Sequence, residues 1–110
     1  MQKMSLTALA RRHLDTARES TSGRSASTVY GGHEHVLRQT MIALRAGSSL
    51  NEHENPGDAT VQVLSGRVRL VAGQDEWEGS AGDFLIVPER RHSLEADEDS
   101  VVLLSVAKRS

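Results

Sequence analysis

The sequence contains no cysteine, which excludes disulfide staples, thiolate metal sites and a thiol nucleophile together. Aromatic residues are almost as scarce: Tyr30, Trp77 and Phe84 are the only three. A core must therefore be built from Val, Leu, Ile, Ala and Met, which suits many short strands with modest inward side chains. No apolar run approaches the ~20 residues of a membrane span, and the opening MQKMSLTALARRHL is too interrupted by charge for a secretory core. The expectation is a soluble, cytoplasmic protein with no membrane partner. Nor is there a basic excess, since 13 basic and 15 acidic residues intermix to a net charge of -2, so nucleic acid is not an expected partner. Gly-rich phosphate loops, a GxSxG elbow and a helix-turn-helix are all missing.

What is present points to one domain, because 110 residues bury one core and are too few for two. After Ser5, a candidate N-cap, the apolar positions Leu6, Leu9, Ala10, Leu14 and Ala17 recur at i, i+3, i+4 spacing, while Arg11, Arg12, Asp15, Arg18 and Glu19 take the other side. This predicts one amphipathic helix of roughly 15 residues, too short to be stable without a surface to lie on. His13, near the apolar stripe, reads as a packing residue. Residues 20–28, STSGRSAST, lack periodicity and read as a flexible connector. The expected division is a helix and flexible arm over 1–28 and a β domain over 29–110.

Beyond the connector, short β-rich runs alternate with turn residues. Strands are predicted at 35–44, 59–64, 67–72, 75–79, 83–87, 92–96 and 100–107, with a further one around 27–31. In RVRLVA, Val68 and Leu70 alternate with Arg67 and Arg69, the pattern of one buried and one wet face. SVVLLSVA is nearly continuous in apolar residues, so both its faces are covered. Val102, Leu104 and Val106 form its longer row, the expected core face. Residues 35–44 mix polar and apolar positions on both faces, and alternation does not say which points inward.

The stretch NEHENPGDAT places His53 and Asn55 two apart, on one face of an extended strand. Glu52 and Glu54 alternate to the opposite face, and Asp58, after Pro56-Gly57, reads as a turn residue. A second pair, His33 and His35, follows Gly31-Gly32 and reads as surface histidines. From Gly47 the chain runs five residues to His53, one to Asn55, three to Ala59 and six to Gly66. Later, Gly82 is followed after five residues by Pro88 and, four positions on, by His92. This spacing resembles the two signature motifs of the cupin superfamily, G-x5-H-x-H-x3,4-E-x6-G and G-x5-P-x-G-x2-H-x3-N, over roughly residues 35–107. The similarity is to small single-domain cupins of the germin-like type.

The resemblance implies an all-β fold, a double-stranded β-helix or jelly-roll barrel, preceded here by the one α-helix. It also implies a site at the barrel mouth for one divalent transition metal. His53 and His92 stand where two metal ligands would be, but Asn55 occupies the second histidine's place and Ala59 the glutamate's. The second motif is one residue short, with Arg90 in its turn. The implied metal site is degenerate, and a metal cofactor is left open. Two functions follow. The first is a cupin that binds a small polar or anionic molecule through His53, Asn55, Val61, Val63, Arg90 and His92. The alternative is a metal-dependent enzyme of oxygenase or isomerase type with His53 and His92 as ligands. A purely structural or partner-binding barrel would follow from an interior filled by side chains, against which the small residues Ala59 and Val61 argue. The resemblance also implies a homodimer.

Overall fold

The computed structural model describes residues 2–53 and 57–108, the side chains of residues 52 and 53 excepted. Asn55 lies outside the described residues, so its expected place in a site is carried by sequence alone.

The chain opens with helix α1 (Leu6–Glu19), and the Ser5 hydroxyl accepts the Ala8 N–H at 3.1 Å. That bond satisfies one of the donors a helix start leaves over. Nine strands follow: β1 (Arg24–Tyr30), β2 (Leu37–Leu44), β3 (Ser49–His53), β4 (Gly57–Ser65), β5 (Arg67–Ala72), β6 (Asp75–Ser80), β7 (Phe84–Ile86), β8 (His92–Ala96) and β9 (Ser100–Lys108). They form two antiparallel sheets, one of order β1-β2-β9-β4-β7 and one of order β3-β8-β5-β6. Among the described residues, no helix is long and apolar enough to cross a membrane.

Three elements differ from the sequence-based expectation. Residues 24–28 are not connector but the first part of β1, paired with β2 from Arg24↔Leu44 onward. Their Ser-rich composition hid the strand, because the polar residues Ser25 and Ser27 face helix α1 through hydrogen bonds rather than apolar contact. Strand β3 carries only one apolar residue, Leu50, and its extended state is set by its ladder with β8 instead of by its own propensity. Asp58 is a strand residue opposite Ala107 rather than part of a turn.

The sheets face each other across the main core, which includes Ile42, Leu44, Val61, Val63, Val68, Leu70, Leu94 and Val102. Val102, Leu104 and Val106 do point into it, the face the longer apolar row of β9 predicted. The outer face of the five-stranded sheet carries a second cluster, in which Met41, Ala43 and Val101 meet Ala17 and the stripe Leu6, Leu9, Ala10 and Leu14. Strand β2 is thus covered on both sides, Ile42 and Leu44 inward and Met41 and Ala43 under the helix.

Polar contacts lock the helix in place. His13 bridges to β1, its Nδ1 2.6 Å from Ser25 Oγ and its Nε2 2.7 Å from Ser27 Oγ. Arg45 donates to the carbonyls of Arg18 and Ser20, both at 3.0 Å, at the helix C-terminus. Asp99 accepts from the Ala46 N–H at 2.8 Å and from Arg18 Nε at 2.7 Å. Those two hydrogen bonds, the backbone one first, hold its carboxyl below the ordinary carboxylate range. On the outer face of the smaller sheet Arg69 donates to Asp97, Glu76 and Glu95 at 3.0, 3.1 and 3.1 Å. Asp97, by hydrogen bond and charge, contributes most to raising the guanidinium above its usual value.

Tight turns close the hairpins. Between β4 and β5 a single residue, Gly66, reverses the chain at φ +81°, and a Cβ there would sit 2.3 Å from the Asp99 carbonyl oxygen. No other residue type fits that position without strain.

Candidate functional site

Antiparallel pairing decides which chemistry the barrel gathers. In the β3–β8 ladder His53 stands directly opposite His92, after a register shift that follows Leu50. Two histidines remote in sequence thus occupy neighbouring register positions. They lie at the end of the smaller sheet where β5 turns into β6 and where the segment before β8 enters.

His92 is 5% exposed and reaches the core side of its sheet. Its Nδ1 lies 2.8 Å from the backbone carbonyl oxygen of Arg90. A carbonyl only accepts, so Nδ1 carries the proton and, in the neutral ring, the basic lone pair sits on Nε2. The bond also fixes the ring's orientation, the arrangement by which a backbone carbonyl steers an imidazole toward a ligand.

Around His92 lies a cavity of about 20 Å³, lined by that imidazole and by eight aliphatic residues, among them Leu50, Val61, Leu70, Val87 and Leu104. A space of this size accommodates about one water molecule. The interior is filled but for this cavity, less room than Ala59 and Val61 led one to expect. Ala59 and Val61 are small, but leucines from β3, β5, β8 and β9 occupy the volume they leave. Leu50 and Leu104 are only partly buried and form the looser part of the lining.

The other sequence-based candidates scatter. Val61 lines the cavity, whereas Val63 is fully buried further along β4 and is not part of the lining. Arg90 is absent from the lining too: its guanidinium pairs with Asp75 and lies 5.8 Å from the centre of the Trp77 ring. A cation so engaged is not aimed at a ligand in the barrel. His33 and His35 are exposed in the segment between β1 and β2, and the His35 ring packs edge-on against Tyr30 at 5.3 Å. The aliphatic part of the lining, Leu50, Leu70, Leu94 and Leu104, was not singled out as a site; its only sequence signal is the inward phase of each strand.

Among the described side chains, the donors that the motifs imply for a divalent metal are incomplete. Among the described residues no three His, Asp or Glu side chains come together as a metal would require. Ala59, where the motif has its glutamate, brings no carboxylate to offset a cation's charge. On its cavity side the imidazole of His92 meets aliphatic side chains.

No family model and no curated protein matches the chain by sequence. Solved structures do match. An RmlC-like cupin protein from Desulfovibrio desulfuricans superposes with a TM-score of 0.75 at 22% identity, covering 97% of this chain and 97% of that one. A conserved SPY1581 protein of unknown function from Streptococcus pyogenes gives 0.73 at 27% identity over 83% of this chain and 79% of that one. KdgF from Halomonas sp. gives 0.68 at 20% identity, covering 84% and 85% respectively. The fold is that of a small cupin, helix included.

Proposed function

We propose that this protein is a small-molecule-binding cupin whose barrel works without a metal and takes a compact, largely apolar molecule carrying one hydrogen-bonding group. The observation that carries this reading is the cavity lining: one oriented imidazole, His92, among eight aliphatic side chains. Eight hydrocarbon walls select for apolar bulk, and one fixed polar atom selects for position. The polar or anionic ligand expected from sequence is narrowed accordingly, since among the described residues no cationic side chain is in the lining. A ligand larger than one water enters by displacing Leu50 and Leu104, the partly buried members of the wall.

The reading is tested by NMR titration with neutral four- to six-carbon alcohols, ketones and amides. Saturable shifts at His92, Leu50 and Leu104 in wild type, lost in His92→Phe, support it. An absence of any such shift across the panel makes the barrel a filled scaffold with no ligand.

A metal-dependent enzyme is the second reading, favoured by the register that sets His53 opposite His92. Metal analysis of protein purified without chelator or affinity tag separates the two. Stoichiometric metal that disappears in both His53→Ala and His92→Ala supports the enzyme reading, and a metal-free wild type removes it.

A further inference from the structure

A concavity larger than the barrel cavity lies outside the barrel. It is a groove of about 380 Å³ on the outer face of the five-stranded sheet, between the first turns of α1 and the end of β4. Its walls are Leu6, Ala10 and Leu14 from the helix and Leu64 and Val101 from the sheet, with Arg11 among its lining residues. Against the 20 Å³ inside the barrel, this volume falls in the range of small-ligand sites, roughly 300–1,000 Å³.

Arg11 gives the groove its chemistry. On the same helix Arg18 is engaged by Asp15 and Asp99. Arg11 has no such partner among the described residues, and it is exposed beside apolar walls. A guanidinium presents a fork of donors that matches a carboxylate. Hydrocarbon walls with one unpaired cation fit an elongated apolar molecule with an anionic end.

We infer that the groove between α1 and β4 is a second binding site, independent of the barrel, and that it takes a medium-chain carboxylate, the alkyl chain lying along Leu6, Ala10, Leu14, Leu64 and Val101 and the carboxylate meeting Arg11. The site does not rest on any reading of His92, and its occupant is of opposite type to the neutral ligand proposed for the barrel.

The test is a titration of labelled protein with hexanoate, octanoate and decanoate, kept well below micelle concentrations, with octanol as the neutral control. Amide shifts are expected at Ala10, Leu14, Leu64, Ser65 and Val101. Affinity is expected to rise roughly two- to four-fold per methylene, as burial of a CH₂ implies. Arg11→Gln, an exposed change that leaves the fold intact, is expected to weaken octanoate by about five-fold or more while leaving octanol unchanged, and Arg11→Lys to restore part of the loss. Equal octanoate affinity in wild type and Arg11→Gln overturns the inference. So do shifts confined to His92, Leu50 and Leu104, which would place the chain in the barrel. A groove sealed by a second copy also overturns it, recognised by a sedimenting dimer that Leu64→Glu converts to monomer and by no octanoate shift in either.

Discussion

The Nδ1 proton of His92 is donated to the carbonyl of Arg90, two residues earlier, at 2.8 Å. This one bond orients the imidazole that lines the cavity, while the Arg90 guanidinium pairs with Asp75 at the surface. The chain thus passes from the exposed residues Glu89, Arg90 and Arg91 to the buried His92 at the start of β8.

The tautomer is directly observable. In the neutral ring, ¹⁵N correlation spectra should show the proton of His92 on Nδ1 and an unprotonated Nε2. A ring protonated on Nε2 would remove the Arg90 bond and with it the orientation argued for the site.

Asp99 makes stability depend on pH in a definite direction. Its carboxyl is held low in the folded state by the Ala46 N–H and by Arg18. The stabilisation it supplies is therefore present above the unfolded carboxylate value of about 3.9 and is lost as pH falls through the lower folded value. Asp99→Asn should cost about 1 kcal/mol at pH 7, modest because the pair is partly exposed. The gap in denaturant midpoint between variant and wild type should close as the solution is taken below about pH 4. A gap independent of pH would mean that the charge on Asp99 contributes nothing.

Leu70 is 1% exposed and lines the cavity beside His92. Leu70→Ala should destabilise by about 2–5 kcal/mol in chemical denaturation, the usual cost of a core leucine. The enlarged space is lined mainly by hydrocarbon, so the variant should bind benzene-sized probes more tightly than wild type, in which Leu50 and Leu104 must first be displaced, as engineered hydrocarbon cavities do. Equal affinity in variant and wild type would show that Leu70 does not limit the space.

Gly66→Ala meets two penalties at once, a left-handed φ of +81° and a Cβ 2.3 Å from the Asp99 carbonyl oxygen. About 2 kcal/mol or more should be lost in thermal or denaturant unfolding. A neutral result would place the β4–β5 turn in another conformation.

Much of the architecture was legible in local pattern. The spacing of Leu6, Leu9, Ala10 and Leu14 is a 3.6-residue period, and α1 lies on the sheet by that stripe. In β5 the alternation put Val68 and Leu70 inward, and in β9 it put Val102, Leu104 and Val106 there. The glycines at the motif spacing, Gly47, Gly66 and Gly82, all adopt positive φ. The pattern failed where partners supply what the residues lack: β1 is Ser-rich because hydroxyls meet His13, and β3 is extended because β8 holds it.

The sequence by itself determined a cysteine-free, mostly β fold with one helix, since periodicity, turn glycines and composition are properties of neighbouring residues. Only the tertiary structure decided that residues 53 and 92 stand opposite each other, that Arg90 turns to Asp75, and that the barrel interior is nearly closed while a groove opens beneath α1. The physical reason is that register and packing volume are set jointly by strands far apart along the chain. A row of small inward residues on β4 specifies a space, and leucines brought from β3, β5, β8 and β9 decide whether that space stays empty.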